Sequence, residues 1–189
     1  MLPSFSQYVP LPRYRTNQTS FLTSITDGKT YPFVPNIILI TPPPLLQSMM
    51  PDPESRAQRE LTNTKNYRQG VLDLASEWKA ESAKEEWRVG VIDVWEAIIQ
   101  DAGGEGEELR PYFTYVYLSL QLFEWWLSVD GSDRDGLHLS AKGYEVLWKE
   151  YTKLVKGEFK GRGLDWDVKE GLPWAAPEYV EIRSLQNCG

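Results

Sequence analysis

A chain of 189 residues, 41% hydrophobic and 25% charged, has the length of one domain and the composition of a folded globular protein. Its formal charge of −7 argues against a nucleic-acid binder, which needs a basic face to displace counterions from phosphates, and against docking on anionic lipid. One cysteine, Cys188, leaves no internal disulfide framework, and with no basic, apolar leader in residues 1–30 a cytoplasmic setting is expected.

In chain order, residues 1–13 are rich in Pro and Ser and read as irregular. Tyr14, Phe21, Leu22 and Ile25 fall near helical spacing, which predicts a short amphipathic helix over Tyr14–Ile25, and Asp27-Gly28 predicts a turn. The sequon at Asn17 lies in that helix and is read as chance. Asn36 to Thr41 is apolar on both faces and β-branched, the pattern of a buried parallel strand, and Pro42-Pro43-Pro44 ends it because proline cannot donate to a ladder. Thr62–Ser82 reads as a helix with Tyr67, Val71, Leu74, Ala75 and Trp78 on one stripe. A second buried strand is expected over Arg88–Val94, so strand, helix and strand form a βαβ unit of an α/β fold.

Gly103-Gly104-Glu105-Gly106 reads as a loop, and without the G-x-G-x-x-G pattern it is no phosphate cradle. Tyr112–Val129 is apolar enough to be weighed as a membrane span, but Ser119, Gln121, Glu124 and Ser128 argue against it. A last helix is expected over Ala141–Phe159, capped by Ser140, with Tyr144, Leu147, Trp148, Tyr151, Leu154 and Val155 facing inward and Gly161 and Gly163 ending it. Two buried strands are too few for a doubly wound domain, which suggests that the sheet is a fragment.

The chemistry concentrates on the single histidine, His138, in the polar stretch Asp133-Arg134-Asp135-Gly136-Leu137-His138-Leu139-Ser140. It is read as a loop before a helix, in which Gly136 permits a tight turn. Asp135, three residues earlier, could accept a hydrogen bond from one ring nitrogen while the other faces outward: a base oriented by an acid. A calcium loop fails, since an EF-hand register would need acids at Gly131 and Lys142. With one His and one distant Cys, zinc is not expected, and neither metal nor cofactor is assigned.

Asp135-Gly136-Leu137-His138-Leu139-Ser140, followed by Gly143, resembles the last block of the SGNH (GDSL-type) hydrolases, in particular the isoamyl acetate-hydrolysing esterase branch. Asn36 to Pro44 resembles that branch's fourth strand and the turn after it, and Gln7-Tyr8-Val9-Pro10-Leu11 with Tyr14 resembles the helix entry upstream of that strand. The resemblance implies a three-layer, flavodoxin-like α/β fold, here incomplete, with residues 1–160 as a partial hydrolase domain and 161–189 as a tail. It makes His138 the general base and Asp135 its orienting acid. The family's nucleophilic serine sits in a Gly-Asp-Ser motif and its oxyanion donors include a Gly-x-Asn-Asp block. Neither motif occurs here, and both are expected upstream of the stretch this chain covers. Ser4 and Ser6 occupy no strand-to-helix elbow that would activate them, so no nucleophile is assigned.

A second departure is the stretch 115–134, where the family pattern leads almost directly into Asp-Gly-Leu-His. Val116, Leu118, Leu120 and Leu122 alternate as in a strand. The stretch reads either as a lid supplying an acyl pocket or, preferably, as translated intron, since codons for Thr114-Tyr115-Val116 can spell a splice donor. Three functions compete. One is an esterase-lineage protein for small, acetate-type esters, inactive as it stands. Another is a non-catalytic remnant that binds a partner or oligomerises through an exposed sheet edge. The third is a chain that does not fold stably.

Overall fold

The computed structural model describes residues 9–29, 35–50, 53–115, 134–162 and 164. Chain order is α1 (Leu11–Thr26), β1 (Asn36–Ile40), a 3-10 turn (Gln47–Met49), α2 (Pro53–Gln58), α3 (Leu61–Ser82), β2 (Arg88–Ile92), α4 (Val94–Ala102), a second 3-10 turn (Glu107–Tyr112), β3 (Phe113–Tyr115), β4 (Arg134–Leu139) and α5 (Ala141–Lys156). α1 begins just after Pro10 and carries a proline in its first turn, where a missing N–H costs nothing. It starts three residues earlier than its apolar spacing suggests and buries Leu22, while Phe21 stays exposed.

β1 and β2 pair in parallel, from Asn36↔Arg88 to Ile40↔Ile92, with α2 and α3 in the crossover. The mixed α/β architecture with a small parallel sheet is the one the sequence implied. Alternate residues of β2 face opposite sides. Ile92 joins Val146, Leu154 and Phe159 in the core on the α5 side, with Ile38 of β1 packed against them. Gly90 faces the same way, and a Cβ there would stand 2.5 Å from the Phe159 ring. The stripe of α3, with Val71, Leu74 and Ala75 buried, packs on the sheet between it and α1.

The strand expected to run to Val94 stops at Ile92. Asp93 instead caps α4, its Oδ1 accepting the Glu96 N–H at 3.3 Å. The signature of such a start, an acid followed three residues later by Glu, stands in the sequence as Asp93-Val94-Trp95-Glu96. A second difference concerns the expected loop before α5. Residues 134–139 form β4, antiparallel to β3, with Phe113 opposite Leu139 and Tyr115 opposite Arg134. Charge and glycine content suggested a loop, but the antiparallel partner is supplied by chain 19 to 26 residues upstream, beyond the reach of local pattern.

α5 also differs from its reading in rotation. Ser140 caps it as expected, its Oγ accepting the Gly143 N–H at 3.3 Å. The buried stripe is Gly143, Val146, Leu154 and Val155, whereas Tyr144 and Trp148 are 59% and 58% exposed. Gly143 sets the rotation: a Cβ there would meet the Tyr112 carbonyl oxygen at 2.6 Å, so the helix lies on that backbone at its one side-chain-free position and turns Tyr144 outward. The helix ends at Lys156 rather than Phe159, and Phe159 enters the core from the turn that follows.

Residues 116–133, which include the alternating stretch and most of the weighed membrane span, lie outside the described residues, as do Ser4, Ser6 and 165–189. Among the described residues no helix is long and apolar enough to cross a membrane.

Candidate active site

The Asp135–His138 block is held at both ends by backbone contacts that explain its glycine and its serine. Gly136 has φ +64°, a conformation that costs an L side chain of ordinary residues roughly 1–2 kcal/mol. Its carbonyl oxygen accepts the Leu46 N–H at 3.1 Å. A Cβ at this position would stand 2.1 Å from the Leu46 carbonyl oxygen, so the site admits only glycine for steric as well as conformational reasons. At the other end, Ser140 N–H donates to the Tyr112 carbonyl at 2.8 Å and Ser140 Oγ to the Pro111 carbonyl at 2.6 Å.

These contacts bring together two strings far apart in the chain. Leu46 ends the turn that leaves the carboxyl end of β1 through Thr41 and the three prolines, so Gly136 sits on the segment where α/β sheets present ligand-binding residues. His138, two residues on, is exposed. In a regular strand, residues three apart point to opposite faces, which would separate Asp135 from His138. Here β4 runs from Arg134 to Leu139 while its partner advances only from Tyr115 to Phe113. The strand is thus irregular between its paired ends, with Gly136 at positive φ inside the irregularity, and the alternation rule does not apply. The Asp135 side chain lies outside the described part of the structure.

Four residues given no role from sequence, Tyr112, Asp101, Lys142 and Arg68, support this block. Tyr112 is buried, and its hydroxyl donates to Asp101 Oδ2 at 2.7 Å while the Lys142 ammonium lies 4.4 Å from its ring centre. Burial raises the Tyr112 phenol pKa, and the Lys142 ammonium is raised by its contact with Tyr112 and then by the nearby carboxylates. The cluster ties α4, the second 3-10 turn and the start of α5 together. Beneath the sheet ends, Arg68 of α3 donates to both oxygens of Asp93 at 2.6 to 3.1 Å and to Glu96 at 3.0 Å. The Asp93 contact, ahead of partial burial, keeps the guanidinium pKa raised. The sequence signal for Arg68 was slight: one cation within an otherwise apolar helix stripe.

Two clefts, of about 290 and 370 Å³, lie on the α1 side of β1, between Tyr14, Ile40 and the stripe of α3. Among the described residues none of β4 lines either, so they are not a pocket around His138. Among the described residues no group of three His, Cys, Asp or Glu side chains comes together to hold a metal.

Comparison with curated proteins and with solved structures gave no match. The model of the GDSL-like lipase/acylhydrolase family, in contrast, matches residues 6–150, from before α1 through the His138 block and into α5. With more than half its length matched, the chain belongs to the GDSL-like lipase/acylhydrolase family.

Proposed function

We propose that this chain carries the acid–base half of a serine ester hydrolase, with His138 as general base and Asp135 as the residue that orients it. The observation that carries the reading is the seat of the Asp135–His138 block: glycine-locked onto the turn from β1 at one end and capped by Ser140 at the other, with His138 exposed between. In the reaction this arrangement serves, a serine hydroxyl attacks the ester carbonyl and His138 Nε2 takes its proton. His138 then returns the proton to the leaving alcohol, and water repeats the cycle to release the acid. Small acetate-type esters, as in the isoamyl acetate esterase branch, are the proposed substrates, on the strength of the Asn36–Pro44 and Asp135–Ser140 strings.

The 189 residues contain no Gly-Asp-Ser and no Gly-x-Asn-Asp. Each oxyanion donor is worth roughly 100- to 1000-fold in rate, and a triad acts as a unit, so we propose that the chain by itself is inactive. Residues 1–160 are read as a partial hydrolase domain, 161–189 as a tail, and no cofactor is assigned.

The pairing of Asp135 with His138 is testable because the chain has one histidine. Long-range 1H–15N spectra of the neutral ring are expected to show mainly the Nδ1–H tautomer, and Asp135→Asn is expected to change the tautomer ratio several-fold. A ring unaffected by Asp135→Asn would remove Asp135 from the assignment.

A second reading, a partner-binding or oligomerising protein of the same lineage, is favoured by β1. Its five residues are apolar apart from Asn36, none is fully buried, and Ile40 is 48% exposed. A strand apolar on both faces belongs inside a parallel sheet.

A further inference from the structure

Thr41 is buried to 2% exposure, and its backbone N–H and its hydroxyl are both spent on the end of β2 and the start of α4. Its N–H donates to the Ile92 carbonyl at 3.0 Å and its Oγ1 to Asp93 Oδ1 at 3.1 Å, while Oγ1 accepts the Trp95 N–H at 3.4 Å. Asp93 is in turn gripped by Arg68 from α3 and caps α4. Thr41 therefore pins the first residue after β1 to the first residues after β2. From there the chain runs through Pro42-Pro43-Pro44, each with φ fixed by its ring and no N–H to give away, to Leu46. Leu46 N–H holds the Gly136 carbonyl, one residue past Asp135 and two short of His138.

We propose that Thr41 is a positioning residue for His138, acting through the proline strut and the Leu46–Gly136 hydrogen bond. This rests on the assignment of His138 and Asp135 above. A buried threonine with its hydroxyl satisfied would contribute to stability wherever it stood. What a merely stabilising Thr41 would not do is alter the state of a ring whose strand it never touches. The strut carries that transfer because a short run of prolines has little freedom with which to absorb a displacement.

The test uses the whole chain and the single histidine ring. Thr41→Val keeps the shape and removes the hydroxyl, and Thr41→Ser keeps the hydroxyl. In folded protein at alkaline pH, Thr41→Val is expected to move the Nδ1–H to Nε2–H ratio of His138 in the same direction as Asp135→Asn, by on the order of two- to five-fold. Thr41→Ser is expected to restore the wild-type ratio. Pro43→Gly leaves the Thr41 hydrogen bonds in place and loosens the strut, and it is expected to move the ratio as Thr41→Val does, so the test stands even if Thr41→Val does not fold. An altered ring in Asp135→Asn beside a wild-type ring in folded Thr41→Val or Pro43→Gly would overturn the role of Thr41 and leave the Asp135–His138 pair intact. A ring unmoved by Asp135→Asn would overturn the pair and this inference with it.

Discussion

Tyr112 and Lys142 illustrate how much of the His138 block depends on single side chains that do no chemistry. The neutral phenol donates to Asp101, and an ionised one would confront that carboxylate at 2.7 Å. Burial first raises the Tyr112 pKa, and contact with Tyr112 first raises that of Lys142. For both groups the folded value lies above the unfolded one. Their contribution to stability is thus complete below the unfolded values, near pH 10, and is lost as pH rises through the folded ones. Urea midpoints measured from about pH 8 to about pH 11 are expected to fall on the alkaline side, and Tyr112→Phe is expected to flatten that fall. A fall of equal steepness in Tyr112→Phe would place its source elsewhere. Gly136 was legible at this scale as a turn former between an acid and a base. Its second constraint, the Leu46 carbonyl oxygen 2.1 Å from where a Cβ would stand, was not, because the contact spans ninety residues of sequence.

Among the elements, α5 shows what periodicity can and cannot fix. Its apolar residues occupy a wide arc, and the spacing identified the helix, its cap and two of its four buried residues, Leu154 and Val155. It did not say which margin of the arc meets solvent, because that depends on Gly143 lying against the Tyr112 carbonyl. Trp148, stacked on Tyr151 at 5.6 Å, stands on the exposed margin, while Val155 is fully buried. Trp148→Ala is therefore expected to cost under about 1 kcal/mol and Val155→Ala roughly 2 kcal/mol, read by denaturant unfolding. The reverse order would mean that the helix is rotated toward the face expected from sequence. α4 escaped notice for a different reason. Its nine residues follow a buried strand without a polar break other than Asp93, so strand and helix merge into one apolar run. β4 was concealed by composition, since a strand containing Arg, Asp, Gly and His resembles a loop until its partner β3 is known.

At the scale of the whole molecule, the βαβ unit was legible because each of its parts is a long, regular pattern: two apolar strands and a 22-residue helix. Among the described residues the parallel sheet has two strands, β1 and β2. β1 pairs on one side with β2, and the clefts beneath Tyr14 and Ile40 lie beside it. An apolar strand in this position is a template for pairing with another chain, and it carries no charged residue to discourage that. Sedimentation is expected to show concentration-dependent association of the chain, reduced by Ile40→Lys. A monomer at all concentrations, unchanged by the substitution, would argue that the edge is covered within the chain itself.

The proposed acid–base pair, in a chain without a Gly-Asp-Ser nucleophile block, is expected to leave ester turnover at background. Purified chain and its His138→Ala variant are compared on p-nitrophenyl acetate and on isoamyl acetate. The expected result is the same rate for both, no faster than free imidazole at equal concentration. Turnover well above that level, abolished in His138→Ala, would overturn the proposed inactivity, because it would require a nucleophile and an oxyanion site within these 189 residues.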